Sequence, residues 1–134
     1  MIKYHVVAGK RKTAIAKVKI REGSGKVHYN GLPYQSLSLV HRSALSEPLI
    51  IANETLGQVK ADMDIKTRGG GKEGQIQAAR LGLAKALVHF TKSAELKKAY
   101  IKYDRNLLVA DIRCKETYKP GDSKARAKRQ KSYR

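Results

Sequence analysis

The sequence predicts an α+β fold, a two-layer sandwich of one mainly antiparallel sheet covered by helices, followed by an extended basic C-terminal tail. Three observations predict it. Residues 13–20 and 59–66 alternate with the period of two expected of strands that bury one face. Residues 72–90 carry an apolar stripe at helical spacing. The segments run β-rich, helix, strand, helix, helix, an order that fits one sheet with helices packed on it.

Residues 4–20 read as β structure, with Ala14, Ala16, Val18 and Ile20 on one face and Thr13, Ile15, Lys17 and Lys19 on the other. Gly23 and Gly25 form a turn, and Lys26 to Tyr29 form a short returning strand. Asn30-Gly31 is a tight turn, because both residues tolerate positive φ. Pro33 argues against simple continuation of that strand. A helix begins near Ser46, an N-cap type, with Pro48 in its first turn. Leu49, Ala52 and Leu56 share one face of it, and Gly57 ends it.

The clearest strand follows, with Val59, Ala61, Met63 and Ile65 pointing one way and Lys60, Asp62, Asp64 and Lys66 the other. Gly69-Gly70-Gly71 breaks it and leads into the longest helix, about Lys72 to Phe90. Ile76, Ala79, Leu83, Leu87 and Phe90 make its core stripe, while Leu81 and Val88 lie off the stripe and imply contact on a second side. Another helix spans about Ala94 to Tyr103, with Leu96, Ala99, Tyr100 and Tyr103 on one face. Leu107 to Ile112 is a last short strand or an extended lead-out. From about Cys114 onward no independent structure is expected. The division is a globular domain over 1–113 and an extended tail over 114–134; a core of about 110 residues buries roughly 60–70% of its unfolded-chain surface.

The chain has 134 residues and a net charge of +18, from 29 Lys and Arg against 11 Asp and Glu. That balance calls for a polyanionic partner, nucleic acid first and an acidic membrane surface second. No run is apolar enough to cross a bilayer, and the basic segments lack the interleaved Trp, Phe and Leu of an interfacial helix. A membrane partner is therefore not expected. A single cysteine, Cys114, excludes an intramolecular disulfide and a cysteine-based zinc site. A reduced, cytoplasmic setting fits.

Charge is uneven along the chain. Lys124 to Arg134 (KARAKRQKSYR) holds six cations, no acid and no aliphatic residue larger than alanine. Such a segment buries too little to offset its ordering entropy, so a partner must order it. Lys124, Arg126, Lys128, Arg129, Lys131 and Arg134 can meet phosphates, and Tyr133 can stack on a base or ribose. The alternative is a solubilising tail or a localisation signal. A second basic motif, Gly9-Lys10-Arg11-Lys12-Thr13-Ala14, sets three consecutive cations at a bend between β segments, with Gly9 allowing close backbone approach. It reads equally as a solvated turn.

The third motif, Thr67-Arg68-Gly69-Gly70-Gly71-Lys72-Glu73-Gly74-Gln75, places glycines ahead of a helix, where N–H groups and the helix dipole favour a phosphate. It is neither a Walker loop nor a dinucleotide fingerprint; it reads equally as a tight strand-to-helix turn and as a site for an RNA phosphate. His5, His28, His41 and His89 have no metal-ligand spacing, and Asp62 and Asp64 are expected to pair with Lys60 and Lys66. No catalytic constellation can be assembled, so no enzyme activity, metal, cofactor or small-molecule substrate is expected.

With these residues in view, the chain resembles the S-nine family of small-subunit ribosomal proteins. The resemblance rests on GKRKTAIAK (Gly9 to Lys17), Asn30-Gly31-Leu32-Pro33, GGGKEGQ (Gly69 to Gln75) with Ala79-Arg80 and Ala86-Leu87, YDRNLLVADIR (Tyr103 to Arg113), and the terminal KARAKRQKSYR. YDRNLLVAD and QKSYR are similar to the archaeal and eukaryotic branch, and the short N-terminus favours an archaeal source. The resemblance implies a left-handed β-α-β sandwich like the second domain of the S-five ribosomal protein. It implies a place in the head of the small subunit beside neighbouring head proteins, on small-subunit rRNA. It also implies a tail that runs to the anticodon stem-loop of the P-site tRNA.

Carried over residue by residue, Lys10, Arg11, Lys12, Arg68, Arg80 and Arg113 face rRNA, as do Gly69, Gly70, Gly71 and Lys72 of the glycine motif and Lys124, Arg126, Lys128 and Arg129 of the tail. Lys131, Ser132, Tyr133 and Arg134 are the tRNA-proximal end. Two departures from the family pattern, Ile112 in place of a common proline and Asp122 within a less glycine-rich linker, concern the local path of the tail. The other RNA-binding reading on this fold is a ribonuclease P protein subunit, whose arginine-rich helix motif is missing here. A small-molecule kinase of the same architecture needs a glycine–serine loop and a longer chain.

Overall fold

The computed structural model describes residues 4–118. It contains β1 (His5–Arg11), β2 (Ala14–Glu22), β3 (Val27–Tyr29), β4 (Leu32–Pro33), a 3-10 turn at Tyr34–Ser36, α1 (Leu39–Leu56), β5 (Ala61–Arg68), α2 (Lys72–Thr91), α3 (Ala94–Tyr103) and a second 3-10 turn at Arg105–Leu107. The five strands form one mixed sheet in the order β1-β2-β5-β3-β4. All pairings are antiparallel except β3 with β5. The α+β class is as the sequence predicts.

Strand alternation sets the layers. Ala14, Ala16, Val18 and Ile20 of β2 and Ala61, Met63 and Ile65 of β5 are buried, while Lys17, Lys19 and Lys66 on the opposite face are exposed. β1 and β2 join through Lys12-Thr13, where Lys12 takes φ 52° without being glycine. Asn30-Gly31 makes the β3–β4 turn with φ 50° and 87°, the pattern of a tight hairpin. Pro33 ends up on the two-residue edge strand β4, where a missing N–H is tolerated.

β3 does not return along β2. β5 lies between them, and Val27, His28 and Tyr29 run parallel to Met63, Asp64 and Ile65. Three residues carry too little pattern to choose a partner. The choice is made by Asp62, whose Oδ1 accepts from the N–H groups of Ser24, Gly25 and Lys26 at 2.8, 3.1 and 3.0 Å. Those bonds, that from Lys26 foremost, lower the Asp62 pKa. Asp62 also stands 3.9 Å from Arg21, and Asp64 meets His28 at 3.4 Å; neither pairs with Lys60 or Lys66 as the sequence led us to expect.

α1 starts at Leu39, well before Ser46, and runs through Pro48. Its first turn presents Leu39 and Val40 outward at 77% and 72% exposure, so no inward apolar period marks it. The proline costs the carbonyl of Ala44 its helical donor, but Leu45, Pro48 and Ala52 are buried in the core. Leu56, expected on the inner face, is exposed.

α2 is apolar almost all round, with Ile76, Ala78, Ala79, Leu81, Leu83, Ala84, Ala86 and Leu87 buried, which bears out the expected second contact side. Small residues set its distance from the sheet. A Cβ on Gly9 of β1 would lie 2.1 Å from the Ala78 carbonyl oxygen and 2.6 Å from the Gly82 nitrogen, and one on Gly82 would lie 2.8 Å from Val18 Cγ2.

α3 occupies the predicted span. Leu96 and Tyr100 are buried, and the Tyr100 hydroxyl donates to the Pro48 carbonyl at 2.7 Å. Tyr103, expected on the buried face, is 59% exposed because the packed face of this ten-residue helix ends at Tyr100. Leu107 is buried, and residues 108–118 continue as a lead-out with no strand. Among the described residues no helix is long and apolar enough to cross a membrane.

Candidate nucleic-acid interface

Two basic motifs some sixty residues apart in the chain meet at one end of the sheet. The β2–β5 register sets Ile15 beside Arg68 and Ala16 beside Thr67, so the β1–β2 turn abuts the glycine segment that follows β5. The approach is close: a Cβ on Gly69 would lie 2.7 Å from the Thr13 carbonyl oxygen, and one on Gly70 would lie 3.1 Å from the Ala14 nitrogen. Gly69 and Gly70 also take φ 77° and 65°, the left-handed region that side chains disfavour. A cavity of about 250 Å³ opens there between Arg11, Lys12, Thr13, Gly70, Gly71 and Gly74.

The glycine segment is held by side chains that carry no such signal in the sequence. Asn30 Oδ1 accepts from the Thr67 N–H at 2.9 Å, Thr67 Oγ1 donates to Gln75 Oε1 at 3.1 Å, and Gln75 Nε2 donates to the Gly69 carbonyl at 3.0 Å. This chain of bonds fixes the loop from β3 through β5 to the first turn of α2. Polar residues at a turn, a strand end and a helix start give no joint signal in sequence, since it is the parallel β3–β5 pairing that brings them together.

Of the predicted site residues, Lys10, Lys12, Arg68, Gly69, Gly70, Gly71 and Lys72 are exposed around this junction. The arginines are differently placed. Arg11 donates through Nε to Gln77 at 2.8 Å and stands 3.0 Å from Asp111. Its Nη1 is buried and, although ion-paired with Asp111, makes no hydrogen bond of good geometry. Arg80 donates to Glu47 at 2.7 Å and to Asp104 at 3.1 Å. Arg113 grips Asp111 through Nε and Nη2, at 3.0 and 2.7 Å to Oδ2. These pairs tie the hairpin, α2 and the lead-out to one another. His41 meets Glu73 at 2.7 Å, which draws that acid toward α1.

Lys124, Arg126, Lys128, Arg129, Lys131, Ser132, Tyr133 and Arg134, together with Asp122, lie outside the described residues. No cluster of His, Cys, Asp or Glu able to hold a metal occurs among the described residues.

A family model described as ribosomal protein S9/S16 matches residues 9–134. The chain belongs to this family. It is 46% identical over 129 residues to the small ribosomal subunit protein uS9 of Methanococcus vannielii, covering 94% of this chain and 95% of that protein. It is 45% identical over 128 residues to the uS9 protein of Methanothrix thermoacetophila, covering 95% and 96%. In this S9/S16 family chain, the stretch Tyr103 to Arg113 that carries part of the resemblance supplies Asp104 and Asp111, the two acids that hold Arg80, Arg11 and Arg113.

Hydrogen bonds from the Arg113 guanidinium, with its backbone N–H and the charge of Arg11, hold the Asp111 carboxyl well below the usual carboxylate range. Its folded pKa is depressed, so its contribution to stability is complete above the unfolded value and is lost as pH falls through the folded one. The melting temperature should therefore decline below about pH 4, and Asp111→Asn should flatten that decline while lowering stability at neutral pH. Thermal unfolding followed by circular dichroism across an acid pH series measures both.

Proposed function

We propose that the protein is a non-catalytic structural constituent of the small ribosomal subunit in the cytoplasm, binding small-subunit rRNA through the junction of its hairpin and glycine loop. The observation that carries this reading is the convergence of Lys10, Lys12, Arg68 and Lys72 on a glycine segment held at the start of α2. Exposed cations beside open backbone suit phosphate oxygens, and contacts of that kind position RNA without reading its sequence. Family membership and the name borne by the archaeal relatives support the assignment to the small subunit.

Gly69, Gly70 and Gly71 let the RNA backbone approach. Arg11 and Arg80 first hold the fold together, and their charges are balanced by acids. Arg113, whose side chain is 80% exposed, keeps an edge free for a phosphate. Residues 1–113 act as the anchor, and 114–134 as a basic extension whose Lys124, Arg126, Lys128 and Arg129 follow rRNA among the neighbouring head proteins. Lys131, Ser132, Tyr133 and Arg134 end at the P-site tRNA. The crossover from β3 through α1 to β5 is the β-α-β unit of the S-five-like sandwich, and we take it as left-handed, against the usual preference.

Deleting Gln130 to Arg134 tests the division of labour. The truncated chain should fold and enter the subunit normally, while P-site tRNA retention on purified subunits weakens several-fold. A truncated chain that fails to fold would make the tail structural and overturn it.

A further inference from the structure

The open face of the sheet, opposite the helices, is divided into two electrostatic halves. In the half away from the hairpin, cations have acids beside them: Arg21 stands 3.9 Å from Asp62, His28 3.4 Å from Asp64, and Lys19 is the register partner of Asp64. In the half toward the hairpin, Lys17 pairs in register with Lys66, Ile15 with Arg68, and Lys10 with Ile15. No acid lies on these rows, and none of the four cations makes an ion pair among the described residues. Ile15, at 43% exposure, is an apolar floor between them. A shallow groove of about 630 Å³ runs here along Ile15, Lys17, Lys66, Arg68 and Gly69.

Neighbouring strands are about 4.8 Å apart and alternate residues about 7 Å apart along a strand, so the four cations occupy a patch roughly 10 Å across. The chemistry of this face selects the occupant. Proteins that bind single-stranded nucleic acid stack bases on aromatic rings. This half of the face carries aliphatic Ile15 and Ala8 instead, and Tyr4, at the other end, sits under Lys19 at 5.3 Å. A surface of cations without stacking rings suits the backbone of a double-stranded RNA segment, recognised by shape and phosphates.

We propose that this half-face, through Lys17 and Lys66, is a docking surface for duplex RNA, continuous with the hairpin–glycine junction through Lys10 and Arg68. The inference rests on the RNA-binding reading above and adds a surface and a conformation of RNA to it.

The test is the salt dependence of binding by the full-length protein to a 16-base-pair RNA duplex and to a single strand of the same sequence. Removing one cation that neutralises a phosphate should flatten the log–log salt slope by about one unit. Lys17→Gln/Lys66→Gln should therefore flatten the duplex slope by about two units, change the single-strand slope by much less, and leave the melting temperature unaltered. Lys19→Gln, on the neutralised half, should leave the duplex slope unchanged. If the double variant binds duplex with the wild-type slope, or if a poly-glutamate peptide but not duplex distinguishes it from wild type, the surface is not an RNA site and the inference fails. Wild-type protein that binds neither RNA would instead remove the proposed function itself.

Discussion

Gly9→Ala is expected to lower the free energy of unfolding by about 3 kcal/mol, the top of the usual range for overpacking. The added methyl would meet the Ala78 carbonyl at 2.1 Å and the Gly82 nitrogen at 2.6 Å. Both are backbone atoms of α2, so no side-chain rotation can relieve the clash. Either α2 lifts from β1, opening voids around Val18 and Leu83, or β1 pulls away from β2. Gly71→Ala is the contrast: its Cβ would meet nothing within 4 Å and its φ is −99°, so the cost should be only that of a poorer helix N-cap, about 0.5–1 kcal/mol. Urea denaturation of both variants decides the point. A Gly9→Ala cost below about 1 kcal/mol would mean that α2 does not rest on β1 as closely as described.

The second large effect is electrostatic. Replacing Lys10, Lys12, Arg68 and Lys72 together by Gln should flatten the log–log salt dependence of RNA binding by about four units. All four are exposed, so each should change stability by no more than about 0.5 kcal/mol. Removing Lys60, Lys97, Lys98 and Lys102 subtracts the same net charge from elsewhere on the surface. If RNA simply responds to total charge, the two variants will be weakened equally. If the hairpin–glycine junction is where RNA docks, the first will be weakened far more. Filter binding between 50 and 300 mM salt separates these outcomes.

The strands of the central pair were legible because each carries an unbroken period of two: every second residue from Ala14 to Ile20 and from Ala61 to Ile65 faces inward as that period predicts. α2 and α3 were legible from helical spacing, and α2 also from the glycines that precede it. The start of α1 was not, because Leu39 and Val40 point outward and Pro48 mimics a first-turn proline. The partner of β3 was not, because three residues cannot announce a parallel neighbour 36 positions away.

The basic motifs were visible individually, whereas their meeting was not, since it depends on the pairing of Ile15 with Arg68. Arg11, Arg80 and Arg113 look like free cations in sequence. Their acids, Asp111, Glu47 and Asp104, sit 24 to 100 positions from Arg11 and Arg80, beyond any local charge pattern. Lys17 and Lys66 mark only the solvent side of their strands in sequence, and their isolation from acids emerges from the register.

A constituent of the small ribosomal subunit that RNA holds in place should co-purify with that subunit. Sucrose-gradient sedimentation of tagged protein from cells tests it most directly. The protein should travel with the small subunit and with complete ribosomes, and be released by high salt or ribonuclease. Sedimentation as a free protein, away from the small subunit, would contradict it.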